Sequence, residues 1–155
     1  MNHKAKILIV DDDPDIIELL SFHLKKEGFE VTAAYNGKEA LKIAESTLFD
    51  LIILDVMMPE IDGVEVCREL REKEKYKNTL IVFLTARNED YSQIAGLDAG
   101  ADDYIAKPIK PRVFISKVKS LLRRKPAENP AENSEVPIVI DKERYVVIKE
   151  GKELI

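Results

Sequence analysis

The sequence predicts an α/β fold, a five-stranded parallel sheet wound with helices on both faces. Two observations carry the prediction. Three short apolar runs, Ile7–Val10, Leu51–Leu54 and Leu80–Leu84, do not alternate with polar residues. A continuous apolar run bounded by turns suits a strand buried on both faces. Between these runs apolar residues recur at helical spacing, so strand and helix alternate along the chain, the pattern of a parallel sheet.

Taken in order, Ile7–Val10 is the first strand, ended by Asp11, Asp12 and Asp13. Ile16, Ile17, Leu20 and Leu24 mark the first helix, with Pro14 near its start and Gly28 just past its end. Glu30–Ala34 is a weaker second strand, and Ala40, Leu41 and Ala44 follow the Asn36-Gly37 turn as the second helix. After the third strand, Leu51–Leu54, the third helix carries Val66, Cys67 and Leu70 behind Asp62-Gly63. Leu80–Leu84 leads to a fourth helix around Ile94 and Leu97, closed by Gly100. Asp103–Ala106 is a weak fifth strand, and Phe114, Val118, Leu121 and Leu122 form the fifth helix behind Pro111. Five such units with right-handed crossovers can form a doubly wound sheet of order 2-1-3-4-5.

Past Arg124 the character changes. Residues 125–137 hold three prolines, two asparagines and three glutamates with almost no apolar content, which predicts a linker. Ile138–Ile140, Tyr145–Ile148 and Leu154–Ile155 have strand character, with Glu150-Gly151 as a hairpin turn. The expected organisation is therefore a domain over 1–124, a linker over 125–137, and over 138–155 the opening strands of a second domain, too short to build a core alone.

Composition narrows the function classes. Net charge is −5, from 24 Lys and Arg against 29 Asp and Glu, and neither part has the basic excess of a nucleic-acid binder. The basic cluster Lys117, Lys119, Arg123, Arg124 and Lys125 falls at a helix end, where it complements the helix dipole. One cysteine excludes an intramolecular disulfide and a thiolate zinc cage, which suits a reducing cytoplasm. The run Ile7–Val10 is too short for a secretory signal, and nothing approaches a bilayer span, so a cytoplasmic protein without membrane contact is expected.

The informative polar residues stand at strand ends. Asp11, Asp12 and Asp13 end the first strand, Asp55 the third and Thr85 the fourth, while Lys107 follows the fifth. In an open α/β sheet these carboxyl ends share one edge, where ligands bind. Carboxylates held together repel, and a cation must offset that. Mg²⁺ suits such a place because it accepts one or two carboxylates, keeps waters and completes its shell from a phosphate. A carboxylate beside it can attack a phosphoryl donor and form an acyl phosphate. The metal and the Lys107 ammonium would neutralise the transferred oxygens, and Thr85 could donate a hydrogen bond to one of them. Taken singly these residues have ordinary readings: Asp13 caps the helix at Pro14, Asp55 is a turn residue, Lys107 a surface charge. Their common edge makes them a site.

The segments Ile7-Leu-Ile-Val-Asp-Asp-Asp13, Leu54-Asp-Val-Met-Met-Pro59, Asp62-Gly63, Leu84-Thr-Ala86 and Gly100-Ala-Asp-Asp-Tyr-Ile-Ala-Lys-Pro108 resemble, in order and spacing, the receiver domain of two-component response regulators. The resemblance covers residues 5–124. It implies the flavodoxin-like strand order 2-1-3-4-5, for which a member of this family is itself a standard example. It further implies that Asp55 is the phosphorylated aspartate, that Asp11 and Asp12 bind Mg²⁺ or Mn²⁺ with Asp55, and that Met57 adds a backbone carbonyl. Thr85 and Tyr104 match the switch pair, Lys107 the contact to phosphoryl oxygens, and Lys107-Pro108 a cis peptide. Met57 and Arg87 stand where side chains tune the phosphoryl lifetime; both are long, so slow self-dephosphorylation is expected. The implied partner is a sensor histidine kinase, and the implied output face joins the fourth helix, the fifth strand and the fifth helix. The tail is similar to the start of a winged-helix effector domain of the OmpR/PhoB type, so DNA binding is expected only through that domain. Asp102, Asp103 and Arg124 fit the charged pairing by which that subfamily dimerises.

Two other classes compete. A phosphatase or phosphotransferase forming an aspartyl phosphate on small substrates would use an Asp-x-Asp at the first strand. Asp11 and Asp13 supply it, but no cap insertion is present, and Asp55 with its Met-Pro-x-x-Asp-Gly loop is left unexplained. A nucleotide-binding module would need a glycine-rich phosphate loop, which the sequence lacks. A regulatory phosphoacceptor, not an enzyme for free substrates, is the expectation.

Overall fold

Within the described residues every predicted strand is a strand and every helical pattern a helix. A computed structural model describes residues 4–86 and 99–124. Its elements are β1 (Lys6–Val10), α1 (Pro14–Lys26), β2 (Glu30–Ala34), α2 (Gly37–Ser46), β3 (Leu51–Asp55), α3 (Gly63–Arg71), a 3₁₀ turn (Glu74–Tyr76), β4 (Leu80–Thr85), β5 (Asp103–Ala106) and α4 (Pro111–Arg124). The last of these is the helix predicted as the fifth. The predicted fourth helix around Ile94 and Leu97, the linker over 125–137 and the strands over 138–155 lie outside the described residues. By its contacts the chain divides into units at 1–123 and 124–155, and the elements above belong to the first, apart from Arg124 at the end of α4.

The five strands form one parallel sheet of order β2-β1-β3-β4-β5, as the sequence predicts. Alternation along each strand sends side chains to opposite faces. Leu8, Val10, Ile52, Leu54, Ile81 and Phe83 pack with Ala40 and Ala44 of α2 and with Val66, Cys67 and Leu70 of α3. Ile7, Ile9, Leu51, Ile53, Val82 and Leu84 pack with Ile17, Leu20 and Leu24 of α1 and with Phe114, Val118 and Leu121 of α4. Both faces are covered, which is why the strand runs are apolar throughout rather than alternating.

Capping fixes where the helices begin. Asp13 accepts from the Asp15 N–H, Asn36 from the Glu39 N–H and Asp62 from the Glu65 N–H, each at 2.8–2.9 Å. Each such cap contributes about 1 kcal/mol. Asp13 thus takes the capping role open to it from the sequence. All three caps follow strand ends, so these helix starts lie at the carboxyl edge of the sheet. Among the described residues no helix is long and apolar enough to cross a membrane.

Candidate functional site

The site is a consequence of strand order. β1 and β3 are neighbours with Val10 opposite Leu54, so the next residues, Asp11 and Asp55, emerge side by side at the carboxyl edge. Asp11 is fully buried and Asp55 is 4% exposed, an unusual depth for two carboxyl groups. Asp12 is exposed. One carboxylate oxygen from each of Asp11, Asp12 and Asp55 lies within 4.8 Å of the others. Lys107 arrives from the end of β5, where its N–H donates to the Thr85 carbonyl and its peptide bond to Pro108 is cis. Its Nζ stands 3.3 Å from Asp11 Oδ2 and 3.4 Å from Asp55 Oδ1.

Among the described residues one ammonium meets this cluster, and it does not balance it. Burial, reinforced by the neighbouring Asp11 charge, pushes the Asp55 carboxyl up to about 7, against the opposing pull of Lys107 and the Met57 N–H. Burial works to lower Lys107, but the charges of Asp55 and Asp11 prevail and hold its ammonium above the ordinary lysine range. Asp11 Oδ2 is buried and makes no hydrogen bond among the described residues; its contact with Lys107 has ion-pair distance without hydrogen-bond alignment. An orphaned carboxylate oxygen beside two further carboxylates fits a hard divalent cation such as Mg²⁺ or Mn²⁺. Thr85 Oγ1 is likewise buried without a hydrogen-bond partner among the described residues, so this hydroxyl has its donor and acceptor capacity in reserve.

The loop after Asp55 is pinned close to it. A Cβ on Gly63 would stand 2.3 Å from the Asp55 carbonyl oxygen, and the Gly63 N–H donates to the Val56 carbonyl at 3.0 Å. Only glycine allows the start of α3 to come this near. Glu60 turns the loop with φ 70°.

The family model of the response regulator receiver domain matches residues 7–119. The chain belongs to that family. Its relatives include the alkaline phosphatase synthesis transcriptional regulatory protein PhoP of Bacillus subtilis, 46% identical over 131 residues that cover 84% of this chain and 53% of that protein. The transcriptional regulatory protein ResD of the same organism is 41% identical over 160 residues, covering 98% of this chain and 65% of ResD. This receiver chain therefore spans about half to two thirds of the length of such curated relatives. Among solved structures, a two-component response regulator from Clostridium difficile superposes with TM-score 0.74 at 35% identity, over 80% of this chain and 100% of that one. The Vibrio cholerae chemotaxis protein CheY4 does so with TM-score 0.73 at 35% identity, over 76% and 98%.

The remaining candidate residues of the receiver fall in three places. Met57 sits beside the cluster with its side chain exposed, and its N–H lies 3.4 Å from Asp55 Oδ1. Tyr104 is 37% exposed on β5, one side of an open depression shared with Pro108, Val113 and Lys117. Two of the proposed pairing residues, Asp102 and Asp103, already have partners within the chain. Asp102 accepts from Arg71 at 3.0 Å and from the Ile81 N–H at 2.8 Å, and Asp103 pairs with Lys117 at 3.1 Å. Arg124 ends α4, and Arg87 lies outside the described residues. Asp62-Gly63 is among the segments that carry the resemblance, but the sequence gives Gly63 no role of its own; its place directly after an N-capping aspartate is the signal that a helix starts tight against β3.

Proposed function

We propose that this receiver is a phosphorylation switch in which Asp55 accepts a phosphoryl group from a sensor histidine kinase. The observation that carries the reading is the burial of Asp55 and Asp11 on adjacent strand ends with one ammonium between them. A carboxylate so placed is both confined and undersupplied with positive charge, which favours a phosphoryl group bound with a cation over an ordinary ion pair. Asp11, Asp12, Asp55 and the Met57 carbonyl would hold Mg²⁺. Bound there, the cation supplies charge neutralisation for the carboxylates and the transferred oxygens.

An Asp55 carboxylate oxygen attacks phosphorus as the bond to the donor nitrogen breaks. The nitrogen keeps the electron pair, and Asp55 becomes an acyl phosphate. Lys107 moves its contact from the Asp55 carboxylate to a phosphoryl oxygen, and Thr85 Oγ1 donates to another. Tyr104 then turns in behind Thr85 and alters the face around β5 and α4. The output is transcription, through a winged-helix effector domain whose opening strands are residues 138–155, beyond the receiver over 1–124 and a linker over 125–137. Support comes from relatives named as transcriptional regulators and from the part of their length outside the match. Dimerisation through Asp102, Asp103 and Arg124 completes the reading; Asp103 exchanges Lys117 for a partner on a second copy, and Asp102 accepts a second-copy partner beside Arg71. The switch works in the cytoplasm and does not turn over free substrates.

Intact-mass analysis after incubation with Mg²⁺ and a small acyl-phosphate donor tests the reading. One phosphoryl adduct is expected on the wild type, none with chelator and none on Asp55→Asn. An adduct that survives in Asp55→Asn contradicts it, and steady turnover of phosphate esters would favour a phosphatase. Followed over time, the same adduct should decay faster in Met57→Asn, if Met57 and Arg87 shield it from water.

A further inference from the structure

Arg71 does more than pair with Asp102. It is the last residue of α3, and its guanidinium donates five ways into backbone and carboxylate. Nε donates to the Gly100 carbonyl at 2.9 Å, Nη1 to the Tyr76 and Thr79 carbonyls at 2.6 and 2.7 Å, and Nη2 to Asp102 Oδ2 at 3.0 Å, with the Lys77 carbonyl at the 3.5 Å limit from Nη1. Its side chain is 19% exposed. Asp102 closes the clamp: its carboxylate accepts the Ile81 N–H at 2.8 Å, and its own N–H donates to the Ile81 carbonyl at 2.8 Å. Gly100 carries φ +105°, and a Cβ there would meet Arg71 Cγ at 2.9 Å, so the turn and the arginine fit each other.

These contacts lie at the opposite edge of the sheet from the carboxylates, directly before β5. That strand has four residues and, among the described residues, pairs only with β4. Its register rests on one short ladder and on the burial of Ile105, and a clamp at its start adds to both. A slip of one residue moves the chain by about 3.3 Å and reverses the side-chain faces. Lys107 is the residue after β5, and its two contacts at 3.3 and 3.4 Å would not survive such a slip.

We infer that Arg71 is a positioning residue for Lys107: clamped to Gly100 and Asp102, it sets where β5 starts and so where the ammonium meets Asp11 and Asp55. The inference rests on the phosphoacceptor reading for its functional consequence, though not for its geometry. A lysine at position 71 keeps the charge but loses the fork that bonds Gly100 and Asp102 together.

Two measurements test it in the full chain. The first is amide hydrogen exchange without metal. In Arg71→Gln the Lys107 N–H, which donates to Thr85, should lose protection, while the β1 and β3 amides keep theirs. The second is a double-mutant cycle on the phosphorylation rate with the acyl-phosphate donor. Arg71→Gln and Arg71→Lys should each slow the reaction about tenfold, as expected of a misplaced group, and should add nothing in a Lys107→Ala background. Asp102→Asn gives a milder version that keeps the Ile81 contact. Unchanged Lys107 protection in these variants, loss spread evenly over the whole sheet, or an equal slowing with and without Lys107 would each overturn the inference. If the wild type takes up no phosphoryl group, the phosphoacceptor reading fails and hydrogen exchange alone decides the clamp.

Discussion

At the scale of the residue, the molecule tolerates in Asp55 a carboxyl group that resists ionising. Its folded value near 7 stands well above the ordinary 3.8, so between those values the native state holds a proton that the unfolded chain has lost. Stability therefore falls as pH rises through this window, and the full cost is present above it. Asparagine at 55 carries no such cost. In metal-free urea denaturation at pH 8, Asp55→Asn should be more stable than the wild type by about 1–3 kcal/mol, an amount reduced from the full shift because Lys107 loses its partner. The two should converge below pH 4, and Mg²⁺ at pH 8 should stabilise the wild type alone. Equal stability at pH 8 would show that the carboxylate is not confined as described. The residue types of this site were legible in the sequence because strand-end aspartates, threonine and lysine are conspicuous after apolar runs. The orphaned oxygens of Asp11 and Thr85 were not, since hydrogen-bond satisfaction depends on angles that no spacing encodes.

At the scale of the element, the strands were legible nearly to the residue. β2 and β5 match the predicted bounds, and the other three extend them by one residue at one end. Buried parallel strands write themselves as unbroken Val, Ile and Leu. What the sequence did not disclose is how closely α3 approaches β3. That approach follows from Gly63, whose missing side chain admits the Asp55 carbonyl. Gly63→Ala must open the loop, because backbone lies at 2.3 Å from the new Cβ. A loss of about 1–3 kcal/mol is expected for overpacking of this kind. The Met57 N–H and the exposed edge of Asp55 should shift with the loop, so Mg²⁺ affinity should fall as well. Thermal denaturation with and without Mg²⁺ reads both effects, and a variant matching the wild type in each would contradict the packing described. Arg71 shows the other limit of reading a pattern: at the end of an amphipathic helix it has the look of a solvated charge, and only the fold brings the starts of β4 and β5 to it.

At the scale of the whole molecule, the order β2-β1-β3-β4-β5 does the gathering. It places β1 between β2 and the central β3, so residues 11 and 55, far apart in sequence, become neighbours, and the end of β5 brings in Lys107. Sequence motifs alone suggested the group, but the sheet order turns it into one edge with one net charge problem. The central claim is that this edge carries out its chemistry on Asp55 and on no other carboxylate. Borohydride trapping after phosphorylation tests that most directly, since reduction converts an aspartyl phosphate to homoserine at the site that carried it. Peptide mapping should find homoserine at position 55 only, and only when Mg²⁺ and donor were both present; homoserine at 11, 12 or 13, or at no position, would contradict the account.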